Sequence, residues 1–150
     1  MINIVIPSKF KKLVAKDRLA QALKMTLLET SIAPESVGLT LAIEDNLTIQ
    51  SLNRQFRDID SVTDVLSFPA NEVDPDTNIC YLGDIIISYE QAKLQAETGN
   101  HPLQEELMLL AIHGALHLLG YDHIQDDEKV KMWSIQDKLL KKLECAIRSP

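Results

Sequence analysis

The stretch Ala111-Ile-His-Gly-Ala-Leu-His-Leu-Leu-Gly-Tyr-Asp-His123 carries three of the chain's four histidines, at His113, His117 and His123. His113 and His117 are four residues apart inside an apolar run, and a helical run sends both imidazoles out of one face, one turn apart. Two nitrogens so placed can reach one ion. Gly120 offers the left-handed position at which a helix can end, and Tyr121 and Asp122 then carry the chain back so that His123 approaches the same point. Three neutral nitrogen donors with an open fourth position are what a catalytic zinc site requires. A structural site normally closes its shell with cysteines, and none lies nearby. A lone histidine at such a place reads as a helix or turn residue. Three of them around a helix-stopping glycine read as a metal site.

The spacing resembles the third-ligand pattern of the metzincin proteases. Where the H-E-x-x-H proteases carry the glutamate that acts as general base, this chain has Gly114. The metal scaffold fits, and the peptidase chemistry lacks its base.

Outward from the motif, Leu107, Leu109, Leu110, Ile112, Leu116 and Leu119 make the helix apolar almost all round, which predicts a buried central helix. Pro102 suits its first turn, and Glu105 and Glu106 suit the positive end of its dipole. After the motif, Asp126 or Asp127 is expected to cap a last helix whose Met132, Ile135, Leu139 and Leu143 face inward. Upstream, Tyr81 to Ile87 is the strongest strand signal and Val65 to Phe68 a shorter one stopped by Pro69; the polar segment between them is expected to loop over the surface and join antiparallel neighbours. Ser88 to Gln91 fits a capping box that opens a helix, which Gly99 can close. Further upstream, Ile2 to Ile6 and Leu39 to Ile43 read as strands. Leu19 to Thr30 reads as an amphipathic helix, and Asp45 or Asn46 caps another that runs through Ile49, Leu52 and Phe56 to Arg57. Strands and helices alternate without a regular βαβ repeat, so the class is α+β: a small mixed β-sheet packed with helices around a buried central helix.

The 150 residues are expected to form one domain, 1–150, able to bury roughly 68–70% of the unfolded chain's surface. With 45% hydrophobic and 25% charged residues the composition is that of a globular protein. Cys80 and Cys145 form no C-x-x-C pair and read as thiols in a reducing compartment. No apolar stretch has the length of a membrane span, and Met1 to Pro7 lacks the features of a signal peptide, so a cytoplasmic protein is expected. The net charge of −7 argues against generic binding along a polyanion. Any nucleic acid must be held locally, with Lys9, Lys11, Lys12, Arg54, Arg57, Lys138, Lys141 and Lys142 as the available cations, each of which also suits a solvated face.

In these residues the chain resembles the YbeY family. The segments Leu52-Asn-Arg-Gln-Phe-Arg57, Thr63-Asp-Val-Leu-Ser-Phe-Pro69, Leu82-Gly-Asp-Ile85, Glu106-Leu107 and the histidine motif from His113 to His123 follow in that family's order. The resemblance runs from about Leu52 to the last helix, and it implies a zincin-like metal site with one zinc ion on His113, His117 and His123 and a functional arginine at Arg57. It further implies an endoribonuclease that cuts single-stranded RNA, acts in maturation of the 16S small-subunit rRNA 3′ end and in ribosome quality control, and has the ribosome or its proteins as partners. Neither a membrane nor DNA is expected.

Phosphodiester hydrolysis needs a nucleophile, charge relief on the phosphoryl oxygens and protonation of the leaving oxygen. A zinc ion on three histidines suits the first by lowering the pKa of water toward ~7. Arg57 suits the second, since its planar fork can pair two phosphate oxygens; without the resemblance it reads as a helix-end residue favoured by the dipole. For the proton carrier, Glu106 shares a helical face with His113 but lies roughly 10 Å along the axis. Asp64, Asp84 and Asp122 are alternatives that equally suit orienting a histidine or capping a turn. His101 reads as a helix-start residue outside the cluster. The rival readings are a zinc metallopeptidase of metzincin-like geometry and a non-catalytic ribosome-associated factor with a structural metal.

Overall fold

The computed structural model describes residues 1–150. Four strands, β1 (Ile2–Val5), β2 (Val37–Glu44), β3 (Val65–Val73) and β4 (Cys80–Ser88), form one sheet in the order β1-β2-β4-β3. β1 is parallel to β2 and β2 to β4, while β3 is antiparallel to β4. Parallel neighbours need a crossover. For the first pair it is α1 (Lys16–Glu29), so β1, α1 and β2 form one βαβ unit within the mixed α+β fold. The other helices are α2 (Asn46–Arg57), α3 (Tyr89–Gly99), α4 (Leu103–Leu118) and α5 (Asp126–Lys142).

Strand register decides what α4 meets. Leu41 pairs with Ile85 and Ile43 with Ile87, so these four fully buried side chains stand on one face of the sheet. α4 lies on that face, and its Leu107, Met108, Ala111, Ile112 and Leu116 are closed to solvent because α1, α3 and α5 surround its other sides. It is the buried central helix expected from its all-round apolar pattern. One hydrophobic cluster runs from Ile4 to Cys145. Cys145 is buried, Cys80 is half-buried, and both are free thiols. No helix is long and apolar enough to cross a membrane.

Several local expectations are corrected. β3 does not stop at Pro69 but continues to Val73, with its pairing to β4 shifted between Pro69 and Glu72. β3 is an edge strand, where a residue without an N–H can stay in the ladder. The polar connection therefore shrinks to residues 74–79, closed by the bond from the Asn78 N–H to the Asp74 carbonyl at 2.8 Å. α3 opens as expected, with Ser88 Oγ accepting the Gln91 N–H at 3.1 Å, but Gly99 stays helical and Asn100 takes the left-handed turn at φ 55°. Neither Asp126 nor Asp127 caps α5; both lie inside its first turn, where their charge meets the helix dipole. On α5 the inward face carries Met132, Gln136, Leu139 and Leu140, and Ile135 is only half-buried.

Candidate metal centre

α4 ends where the histidine motif requires. Gly120, at φ +95°, sends its N–H to the His117 carbonyl at 3.0 Å, and Tyr121 sends its own to the Leu116 carbonyl at 3.0 Å. This pair of bonds is the Schellman closure that a left-handed glycine permits. The chain turns back, and one ring nitrogen from each of His113, His117 and His123 lies within 4.8 Å of the others. His113 and His117 are half-buried and His123 is exposed.

The hydrogen bonds fix the protonation of two rings. Nδ1 of His113 lies 2.8 Å from Oε1 of Gln136, and Nδ1 of His117 lies 3.0 Å from the Tyr121 carbonyl. Both partners accept, so each Nδ1 carries the proton and each Nε2 keeps its lone pair. Burial, and then the neighbouring histidines, push His113 down to about 4. His117 is lowered as well, by burial first and then by His123. The two Nε2 atoms stand 3.0 Å apart. Two lone pairs at that distance repel unless a cation lies between them. Nitrogens bound at ~2.0–2.1 Å to a tetrahedral ion stand roughly 3.3 Å apart, so the donor set fits a metal.

The residue between the histidines has a packing reason to be glycine. A Cβ on Gly114 would lie 2.6 Å from Cγ2 of Ile85 and 3.3 Å from Oγ of Ser67. Gly114 faces the sheet, so the position at which zinc peptidases carry their glutamate has no room here for a side chain. Ser67 donates its hydroxyl to the Gly114 carbonyl at 3.2 Å, and its own carbonyl accepts Nη2 of Arg57 at 2.9 Å. Arg57 is exposed at the C-terminal end of α2, with its guanidinium 5.8 Å from the Phe68 ring centre. It is near enough to the triad for its charge to disfavour protonation of His117.

A cleft of about 700 Å³ opens beside His113. His101, expected outside the site, lines it and donates through Nε2 to Oε2 of Glu106 at 2.6 Å. Glu106 is 5% exposed, and burial raises its pKa against the opposing effect of His101. Asp64 lines the cleft too, held by the Val65 N–H at 2.8 Å and by Nε2 of Gln95 at 3.1 Å. The other two acids are tied locally: Asp84 takes the Tyr81 hydroxyl, and Asp122 takes the His123 N–H at 2.7 Å.

Neither Gln136 nor Trp133 stands out in the sequence as a site residue. Gln136 is 1% exposed and orients His113, while the Trp133 ring lies 5.8 Å from that of His113 and 5.5 Å from that of His123. A glutamine at an inward position of an apolar helix face was the signal available for the first. Several of the candidate cations prove to be engaged elsewhere. Lys138 and Lys142 clamp Glu29 at 2.5 and 3.0 Å, and Lys9 pairs with Asp45 at 3.2 Å.

A family model described as endoribonuclease YbeY matches residues 5–144. Among curated relatives of that name, the protein of Dehalococcoides mccartyi strain CBDB1 is 40% identical, over 93% of this chain and 91% of its own. That of Caldanaerobacter subterraneus is 37% identical, over 95% and 98%. The solution structure of TM1509 from Thermotoga maritima superposes with a TM-score of 0.65 at 30% identity, covering 95% of this chain and 89% of that one. By a match over nearly its whole length in sequence and in fold, this chain belongs to the YbeY family.

Proposed function

We propose that this chain is a metal-dependent endoribonuclease, a hydrolase of single-stranded RNA, with His113, His117 and His123 holding one zinc ion and Arg57 acting on the scissile phosphate. The observation that carries the reading is the convergence of three histidine nitrogens within 4.8 Å, in a chain whose relatives bear the name endoribonuclease. When bound, such an ion supplies Lewis acidity and makes water a nucleophile near neutral pH. Gln136 and the Tyr121 carbonyl hold two of the imidazoles in the tautomer that offers Nε2. Arg57 presents a planar fork that can pair two phosphoryl oxygens beside the triad.

The site acts in the cytoplasm on the 3′ end of 16S rRNA and in ribosome quality control, with the ribosome or its proteins as partners, and residues 1–150 work as one domain. A chain of net charge −7 fits a substrate delivered at a defined place better than RNA gripped along its length. Incubating purified protein with a single-stranded RNA and with casein, each with and without a chelator, tests the reading. RNA cut only without chelator, and casein left intact, is the expected result. Casein hydrolysis would establish the peptidase instead, and a metal-bound protein inert on both would establish a structural metal.

A further inference from the structure

Glu106 is the most deeply buried carboxylate of the cleft, and only one of its two oxygens has a protein partner. Oε2 takes the proton of His101, whereas Oε1 makes no hydrogen bond within the chain. No fully buried side-chain oxygen lacks a partner, so Oε1 keeps its small exposure, and the surface Glu106 lines is the cleft. A buried carboxylate oxygen facing a cavity requires a donor, and a charge-assisted bond to it is among the stronger ones available.

The cleft joins the triad to two acids, and the cation that also lines it, Arg148, is engaged through Nη1 by the Cys145 and Ile147 carbonyls. His113 of the triad lines it, and the scissile phosphate belongs beside that residue. Two turns earlier on α4, roughly 10 Å along the axis, stands Glu106, and it and Asp64, which also lines the cleft, carry negative charge that repels ionised carboxylates and phosphates alike. Its apolar walls include Leu109, Leu110 and Ile147. A volume of about 700 Å³ lies in the range of small-molecule sites and holds a nucleotide. A ligand with its phosphate toward the triad must place an uncharged, flat, donor-bearing group between those apolar walls and against the acids. Among the RNA bases, guanine presents two adjacent donors on its pairing edge, N1–H and N2–H₂. Uracil presents a single donor between two acceptors.

From this we infer that the cleft between Glu106, Asp64 and His113 is a guanine-binding subsite, in which the pairing edge of a guanosine next to the cut donates to Oε1 of Glu106 and toward the Asp64 carboxylate. The inference rests on the reading of the triad as an RNA-cleaving centre, and it assigns that centre a base preference.

Trp133 is the only tryptophan and lines the same cleft, so intrinsic fluorescence reports its occupancy. Metal-loaded protein is titrated with GMP, IMP, AMP and UMP, and with guanosine and uridine to remove the phosphate. GMP is expected to bind at least about 10-fold tighter than UMP, with IMP, which lacks only the N2 amine, in between, and with guanosine keeping the preference over uridine. Glu106→Gln is expected to abolish the preference while leaving metal content unchanged. Equal affinity for the four nucleotides, or an undiminished GMP preference in Glu106→Gln, overturns the subsite; because the wild-type comparison stands alone, a misfolded variant does not shield it. The nuclease reading fails separately, if metal-loaded protein leaves RNA uncut whatever it binds.

Discussion

His113 donates through Nδ1 to Oε1 of Gln136 at 2.8 Å, and the same amide gives its Nε2–H to Oγ of Ser149 at 2.7 Å. The second bond ties the amide to the C-terminal segment, and the first, with Oε1 accepting, leaves Nε2 of His113 free. Gln136→Leu keeps the volume and removes both bonds. Metal affinity is expected to fall by about 10- to 100-fold, the usual effect of losing a partner behind a histidine ligand. Competition with a chromophoric chelator measures it, and unchanged affinity would show that the imidazole needs no such support.

The metal-free chain should lose stability in acid for a traceable reason. His113 is pushed down to about 4 by burial and its histidine neighbours, and His117 is lowered in the same way. Unfolded, each titrates near ~6.5, so below that pH the unfolded chain takes up protons that the folded one refuses. The contribution is fully present above pH ~6.5 and is lost as pH falls toward the folded value, on the order of 2–3 kcal/mol for His113. Urea midpoints of wild type and His113→Gln, compared at acid and neutral pH, check it: the difference in slope belongs to His113, since the other groups cancel.

Gly114 is expected to tolerate no side chain. Gly114→Ala places a Cβ 2.6 Å from Cγ2 of Ile85 and forces α4 away from β4. Overpacking of this kind costs about 1–3 kcal/mol, offset in part by the better helix propensity of alanine. A lower thermal midpoint is the expected result. A variant as stable as wild type would mean that α4 and the sheet are less tightly apposed than the Ile85 contact indicates.

These positions also show where sequence reasoning reached and where it stopped. The α4 pattern, the His113 and His117 spacing and the Gly120 stop are local, and each follows from helix periodicity and the left-handed conformation of one glycine. Pro69 misled because its effect depends on whether a strand is central or at an edge, which is set by the order of strands distant in sequence. Gln136 meets His113 across 23 residues, and Glu106 meets His101 only because α3 ends at Asn100 and turns its last residues onto α4. Arg57 illustrates the limit from the other side. Its position on a helix end was legible, but its bond to the Ser67 carbonyl, and through Ser67 to Gly114, required the fold.

Arg57→Ala is expected to leave metal content intact and to lower RNA cleavage by about 10-fold or more, as for other groups that stabilise developing charge. Arg57→Lys should restore only part of the loss, because it keeps the charge and loses the two-pronged geometry. Initial rates per metal-loaded molecule give the comparison. Normal cleavage together with a lower melting temperature would instead make Arg57 a tether between α2 and β3.

The most direct test of the account is a metal titration of RNA cleavage. Protein stripped by chelator is given increasing equivalents of zinc, and cleavage of a single-stranded RNA is followed in wild type and in His113→Ala, His117→Ala and His123→Ala. No cleavage is expected without metal, with a rise that levels at about one equivalent and a flat response in all three variants, since two remaining nitrogens are too few to hold the ion. Full cleavage by the stripped protein, or by any variant lacking one of the three histidines, would contradict the account.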